Sequence, residues 1–195
     1  MSVAVVRYNA GNVCSVANAL ERIGASYIIT DDARKLQEAD RVIFPGVGEA
    51  RSAMEYLSAT GLDVTIRGLR APVLGVCLGM QLLCERSDEG DTNCLGILSG
   101  RVKRFTVPQK VPHMGWSQVT QLEHPIFEGV SEGSFFYFVH SYRVDECDDT
   151  IARCDYGERF SAAVASRNFV GVQFHPEKSA EAGERVLRNF MEWRV

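Results

Sequence analysis

The sequence predicts an α/β domain built on a mainly parallel sheet, and three observations predict it. Short apolar runs alternate with stretches of helical period through the first half of the chain. Those runs are apolar at successive residues, as in strands covered on both faces. At 195 residues and 46% apolar composition, the chain can bury one sizeable core. With no repeat, linker or low-complexity segment, residues 1–195 are expected to form one domain.

Val3–Val6 is the first strand, followed by a glycine-bearing loop, Asn9–Asn12. Asn12 is expected to cap a helix whose apolar residues Val13, Val16, Ala17, Leu20 and Ile23 keep the 3.6 period, with Gly24 ending it. Tyr27–Thr30 and Arg41–Phe44 are the next strands. Residues 53–69 supply helical material broken at Gly61, and Pro72–Val76 is a fourth strand. Strands separated by helices of this length imply right-handed crossovers and parallel pairing.

The texture then changes to short β-rich runs: Phe135–Val139, Thr150–Cys154, Phe160–Ala165 and Phe169–Phe174. These are expected to pair antiparallel, along the main sheet or in a small side sheet. Glu181–Trp193 closes the chain as a helix presenting Val186, Leu187, Phe190 and Met191 on one face.

Composition excludes several functions. The net charge is −4 and the one basic cluster, Arg101–Arg104, is short, so the footprint of a nucleic-acid binder is missing and the cluster reads as a solvated strand face. No apolar run approaches the roughly 20 residues of a membrane span. Met1–Val6 is too short for a secretory leader, and a cytoplasmic protein is expected. Six cysteines without a C-x-x-C pair read as reduced thiols. The four histidines have no metal-ligand spacing, so neither metal nor cofactor is expected.

Only Cys77 stands in a context that asks for chemistry. Gly75-Val-Cys77-Leu-Gly79 has the form of a strand-to-helix nucleophile elbow with sulfur in place of oxygen. The helix behind it points free N–H groups at the sulfur, which favours thiolate. The Leu78 N–H would face an oxyanion formed by attack. On its own, the pentapeptide also describes a buried structural cysteine at a tight junction.

A thiol that transfers acyl groups needs a base, and the base needs an orienting partner. His175 and Glu177 supply them in Val172-Gln-Phe-His-Pro-Glu177, on same-side positions of an extended segment following an apolar strand. An isolated pair of this kind also fits an ordinary strand end. Gly46, Val47 and Gly48, after the third strand, leave backbone N–H groups uncovered and offer a second oxyanion donor, though such a loop also turns a chain or cradles phosphate.

Together, Pro45–Gly48, Gly75–Gln81 and His175–Glu177 resemble the class I (triad) glutamine amidotransferases. Pro112–Trp116 and Tyr137–Tyr142 resemble, more narrowly, the glutaminase subunits of imidazole glycerol phosphate synthase. The resemblance covers essentially the whole chain and implies a flavodoxin-like fold with added antiparallel strands in the C-terminal half. It implies that Cys77, His175 and Glu177 hydrolyse glutamine through a cysteinyl thioester, and that Gln81, Glu89, Ser141 and Tyr142 bind the glutamine backbone groups. The implied partner is a (β/α)₈ barrel cyclase in a heterodimer, which uses the ammonia to make imidazole glycerol phosphate and an aminoimidazole carboxamide ribotide in histidine biosynthesis. Asn12, Met114, Trp116, Tyr137 and His140 are the residues expected at the docking face. The family's first loop carries an aspartate and a glycine where this chain has Arg7-Tyr-Asn-Ala-Gly-Asn12, so contacts there stay open.

Three rivals remain at this level. A glutaminase serving another synthase would ignore the cyclase, a γ-glutamyl hydrolase would work at full rate alone, and a non-enzymatic thiol domain would tolerate loss of Cys77.

Overall fold

The structure, a computed structural model, describes residues 2–195. Met1, the first residue of the Met1–Val6 run considered above for a leader, lies outside the described residues.

Strand β1 (Val3–Val6) is buried at every position, as its composition requires. Helix α1 (Val13–Arg22) follows and buries Val16, Ala17, Ala19 and Leu20. Asn12 sits at the N-cap position but does not cap. Its ψ of 71° is outside the extended region from which a side chain reaches back to the first turn, and its amide pairs with the Ser15 hydroxyl instead. Gly24 ends the helix as expected, at φ +75°, its N–H donating to the Glu21 carbonyl.

After β2 (Tyr27–Thr30) comes a helix the periodicity did not reveal, α2 (Ala33–Glu38). Its six residues bury one apolar side chain, Leu36, too few to show a period; the Asp32 carboxylate, accepting the Arg34 and Lys35 N–H groups, starts it. Strand β3 (Arg41–Gly46) runs two residues beyond the expected end. Helices α3 (Ala50–Thr60) and α4 (Leu62–Arg67) are divided at Gly61, φ +74°, where expected. Strand β4 (Val73–Cys77) leads directly into α5 (Leu78–Leu83).

The second half holds β5 (Arg86–Ser87), β6 (Thr92–Asn93), β7 (Arg101–Arg104), β8 (His113–Thr120) and β9 (Phe135–His140). Then come β10 (Tyr142–Val144), β11 (Thr150–Asp155), β12 (Arg159–Ser166) and β13 (Phe169–Val172), before the closing helix α6 (Ala180–Glu192). Strand β13 stops two residues short of the expected Phe174. β8 was not foreseen because its pattern is inverted: His113 and Val119 face inward, while Met114 and Trp116 face out.

All these strands lie in one sheet, whose parallel portion runs β2-β1-β3-β4-β13. The chain winds outward to β2, then reverses to the other side of β1. That reversal defines a doubly wound sheet, which binds ligands at the carboxyl ends of its strands. β12 adds antiparallel to β13 and continues the sheet through β10 and β7; β11 leaves β12 toward β8 and β9. Of the two antiparallel arrangements considered from sequence, the extension along the main sheet occurs, with β11, β8 and β9 branching from it.

Alternate residues of the parallel strands feed two apolar layers. Val3, Val5, Ile43 and Leu74 pack with α1 and with Val186, Leu187, Phe190 and Met191 of α6. Ala4, Val6, Val42 and Phe44 pack with α2 to α5 on the other side. Each buried aliphatic or phenyl side chain contributes about 1.5–3 kcal/mol. The consequence for chemistry is one of register: β13 lies beside β4 with Val172 opposite Val76, and β3 flanks β4 with Gly46 opposite Cys77. Three motifs far apart in sequence therefore leave the sheet at the same edge.

Candidate active site

Cys77 sits at that edge with φ 55° and ψ −112°, a left-handed conformation that costs a side-chain-bearing residue of order 1–3 kcal/mol. The flanking glycines make the elbow possible. A Cβ on Gly79 would lie 1.9 Å from the Phe44 carbonyl oxygen, and one on Gly75 would lie 2.9 Å from the Met80 nitrogen. Neither clash is with a movable side-chain end. Gly79→Ala is therefore expected to lose about 2–3 kcal/mol and roughly 4–12 °C of Tm by calorimetry. An unchanged Tm would mean that β3 and α5 have room to part.

His175 and Glu177 follow β13, but not on an extended segment as expected. Pro176–Lys178 forms one 3-10 turn, which places His175 Nδ1 2.8 Å from Glu177 Oε1. A fully extended stretch would hold the two side chains farther apart. The turn is tied down on both sides. The His175 N–H donates to the Tyr137 carbonyl at 2.9 Å, and the Ser179 hydroxyl donates to the His175 carbonyl at 2.6 Å while accepting from the Tyr137 N–H.

Because a carboxylate only accepts, Nδ1 of His175 carries the proton and Nε2 is left for the sulfur. The imidazole is hydrogen-bonded to Glu177 and shares the cavity wall with Cys77. Burial works against its charged form, but the hydrogen bonds and charges of Cys77 and Glu177 outweigh burial and raise its pKa to about 10. A protonated imidazole at this wall has a proton to give to a leaving group.

A cavity of about 350 Å³ opens over these groups. Its wall includes Cys77, His175, Leu78, Val47 and Gly48, together with the four residues expected to hold substrate, Gln81, Glu89, Ser141 and Tyr142. Burial raises the Glu89 carboxyl above its ordinary value, against the lowering effect of the Ala50 N–H, which it accepts at 2.8 Å. Glu177 stands behind His175. Gly46 is buried where β3 meets β4; a Cβ there would come 2.5 Å from the Tyr8 hydroxyl.

Two expectations, at Val47 and His140, need correction. The Val47 N–H donates to the Ala10 carbonyl at 2.6 Å, so it is spent on the first loop and not presented to the cavity. The Leu78 N–H, at the first position of α5, has no acceptor within the helix. His140, expected on the docking face, is 6% exposed and lines the cavity instead, because it points inward from β9. Asn12 is half-buried and paired with Ser15. Met114 and Trp116 are exposed as expected, Trp116 meeting the half-buried Tyr137 edge to face at 5.9 Å.

Sequence reasoning missed Gln173 and Phe135. Gln173 is fully buried, and its amide N–H reaches to 3.7 Å from the Cys77 sulfur. One polar residue inside the apolar run Phe169–Phe174 was the signal. Phe135 is 52% exposed and begins β9 opposite Gln118, two positions along from Tyr137, the partner of Trp116 on β8.

Comparison with known proteins adds the following. Residues 5–193 match the family model of class-I glutamine amidotransferases. The chain is 56% identical to the imidazole glycerol phosphate synthase subunit HisH of Bacteroides thetaiotaomicron, across 98% of this chain and 100% of that one. It is 50% identical to the subunit of the same name from Shewanella loihica, across 96% and 88%. Among solved structures, a glutamine amidotransferase superposes with a TM-score of 0.76 at 20% identity, covering 97% of each chain. PurLQS from Thermotoga maritima does so with a TM-score of 0.72 at 19% identity, covering 98% of this chain and 97% of that one. At such identities these two structures speak for the fold alone.

Proposed function

The chain belongs to the class-I glutamine amidotransferases, in the branch of the imidazole glycerol phosphate synthase HisH subunits, and from that premise we propose how its residues work. It is an enzyme that hydrolyses glutamine in histidine biosynthesis, and residues 1–195 act as one glutaminase domain. The observation that carries the reading is the meeting of Cys77 and His175 at one cavity wall, with Glu177 bonded to His175 from behind.

The Cys77 thiolate attacks the side-chain carbonyl carbon of glutamine, and the electron pair moves onto oxygen. The Leu78 N–H faces that oxyanion. Protonated His175 gives its Nε2 proton to the departing nitrogen, so ammonia leaves and a glutamyl thioester remains. Neutral His175 then takes a proton from water, whose oxygen attacks the thioester and restores thiolate and imidazolium. Glu177 holds the ring and favours its charged state throughout. Glu89 suits the substrate ammonium, with Gln81, Ser141 and Tyr142 around the rest of its backbone.

The Val47 N–H becomes a second oxyanion donor only if its bond to Ala10 opens. The first loop, which carries Ala10 and Asn12, therefore holds the Val47 N–H. Ammonia protonates in bulk water and stops being a nucleophile, so the product needs a shielded path to a second site. A (β/α)₈ cyclase seated on Met114, Trp116 and Phe135 supplies it, in a cytoplasmic heterodimer. Among the described residues no helix is long and apolar enough to cross a membrane.

The test is ammonia release from glutamine, measured with and without the cyclase and its ribotide ligand. Stimulation by both is expected, and a full rate without either would contradict the reading. Exposed Trp116 is the anchor of the docking face. Trp116→Glu is expected to weaken association by at least about 30-fold, the loss of a tryptophan hot spot worth about 2 kcal/mol or more. Titration calorimetry with the cyclase reads it; unchanged affinity would place the interface elsewhere.

A further inference from the structure

A chain of hydrogen bonds joins groups that this mechanism does not use. The Ser117 hydroxyl lies 2.8 Å from His113 Nε2, and His113 Nδ1 lies 2.9 Å from His140 Nε2. His140 Nδ1 lies 2.8 Å from the Tyr142 carbonyl. The last bond fixes the direction of all three. A carbonyl only accepts, so His140 carries its proton on Nδ1 and accepts at Nε2; His113 therefore donates from Nδ1 and accepts the Ser117 hydroxyl at Nε2.

The Tyr142 carbonyl has a second donor, Gln81 Nε2, at 3.0 Å. The other N–H of that amide goes to Gln173 Oε1 at 2.8 Å, and Gln173 Nε2 donates to the Cys77 sulfur at 3.7 Å. The connection is unbroken from Ser117, one residue from the exposed Trp116, to the reacting thiol.

Both imidazoles are kept uncharged by their surroundings. Burial lowers the pKa of His140 to about 3 and that of His113 to about 4, with the charge of nearby His175 adding to the effect at His140. His113 stacks on Tyr156 at 4.0 Å and on Phe138 at 4.9 Å, and Phe105 lies across His140 at 5.1 Å. Phenylalanine would pack in such surroundings with no polar group to satisfy. Two neutral imidazoles with every nitrogen bonded instead hold one orientation at both ends.

We propose that His140, set by His113 and Ser117, is a positioning residue for the glutaminase reaction: it fixes the Tyr142 carbonyl and, through it, the Gln81–Gln173 amide pair that donates to the Cys77 sulfur. A donor aimed at sulfur favours thiolate. The proposal rests on the glutaminase reading given above.

Two polar variants separate positioning from packing. In His140→Asn the amide lies at the Nδ1 end and keeps the donor to Tyr142. In His140→Gln it lies at the Nε2 end, keeping the contact with His113 and losing that with Tyr142. The readout is the rate of Cys77 alkylation by iodoacetamide at neutral pH in the full chain, with the Tm of each variant and kcat on glutamine in the complex with the cyclase.

His140→Asn is expected to react within about threefold of wild type and His140→Gln about tenfold slower. kcat should follow the same order while the two Tm values stay together. If His140→Asn is no faster than His140→Gln, the proposal is overturned. If instead the wild-type complex releases no ammonia from glutamine, the glutaminase reading falls, while the alkylation order still reports on the relay.

Discussion

Cys77→Ser is expected to abolish glutamine hydrolysis, lowering kcat/KM by about 10⁴-fold or more. The substitution changes one atom in a residue held at φ 55° between glycines with no space for a Cβ, so the elbow and the fold are expected to persist. What is lost is the sulfur nucleophile; a serine hydroxyl is a far weaker one without a base placed to activate it. Steady-state ammonia release reads the effect, and calorimetry shows whether the Tm is kept. Hydrolysis at even a hundredth of the wild-type rate would mean that another group attacks the substrate.

His175→Asn is expected to cost about 10³- to 10⁴-fold in kcat/KM, because proton delivery to the leaving nitrogen and activation of water both pass through one ring. That ring is hydrogen-bonded to Glu177 and lines the same cavity wall as the sulfur. Groups that act as a unit are not additive. The Cys77→Ser/His175→Asn double variant should therefore be no slower than the slower single variant. Losses that multiply would show that the two residues contribute independently, which the shared proton forbids.

Much of this was legible in the sequence, for identifiable physical reasons. Strands covered on both faces leave unbroken apolar runs, so β1, β3 and β4 could be read with errors of one or two residues at their ends. The elbow was legible because Gly75 and Gly79 record a close approach of backbone that only glycine permits. Other features leave no such trace. A six-residue helix with one buried apolar side chain has no period to detect, which hid α2. β8 turns histidine and serine inward and methionine and tryptophan outward, the reverse of a solvated strand, since its outer face suits a partner.

The same limit applies within the site. The residue types of His175 and Glu177 suggested a pair, but the turn that brings them to 2.8 Å depends on Ser179 and Tyr137, from another strand. His140 was placed on the wrong face because nothing local in Tyr137–Tyr142 distinguishes a docking residue from one bonded to His113, 27 positions away. Gln173 acquires its role only when β13 settles beside β4, which is a fact of topology.

The central claim, that the thiol of Cys77 is the nucleophile of this site, is tested most directly by mass spectrometry of the intact chain after exposure to a glutamine-mimicking alkylating agent. One adduct per chain is expected, located on Cys77, blocked by excess glutamine and missing from Cys77→Ser. Labelling spread across Cys14, Cys84, Cys94, Cys147 and Cys154, with Cys77 no faster than the rest, would contradict it.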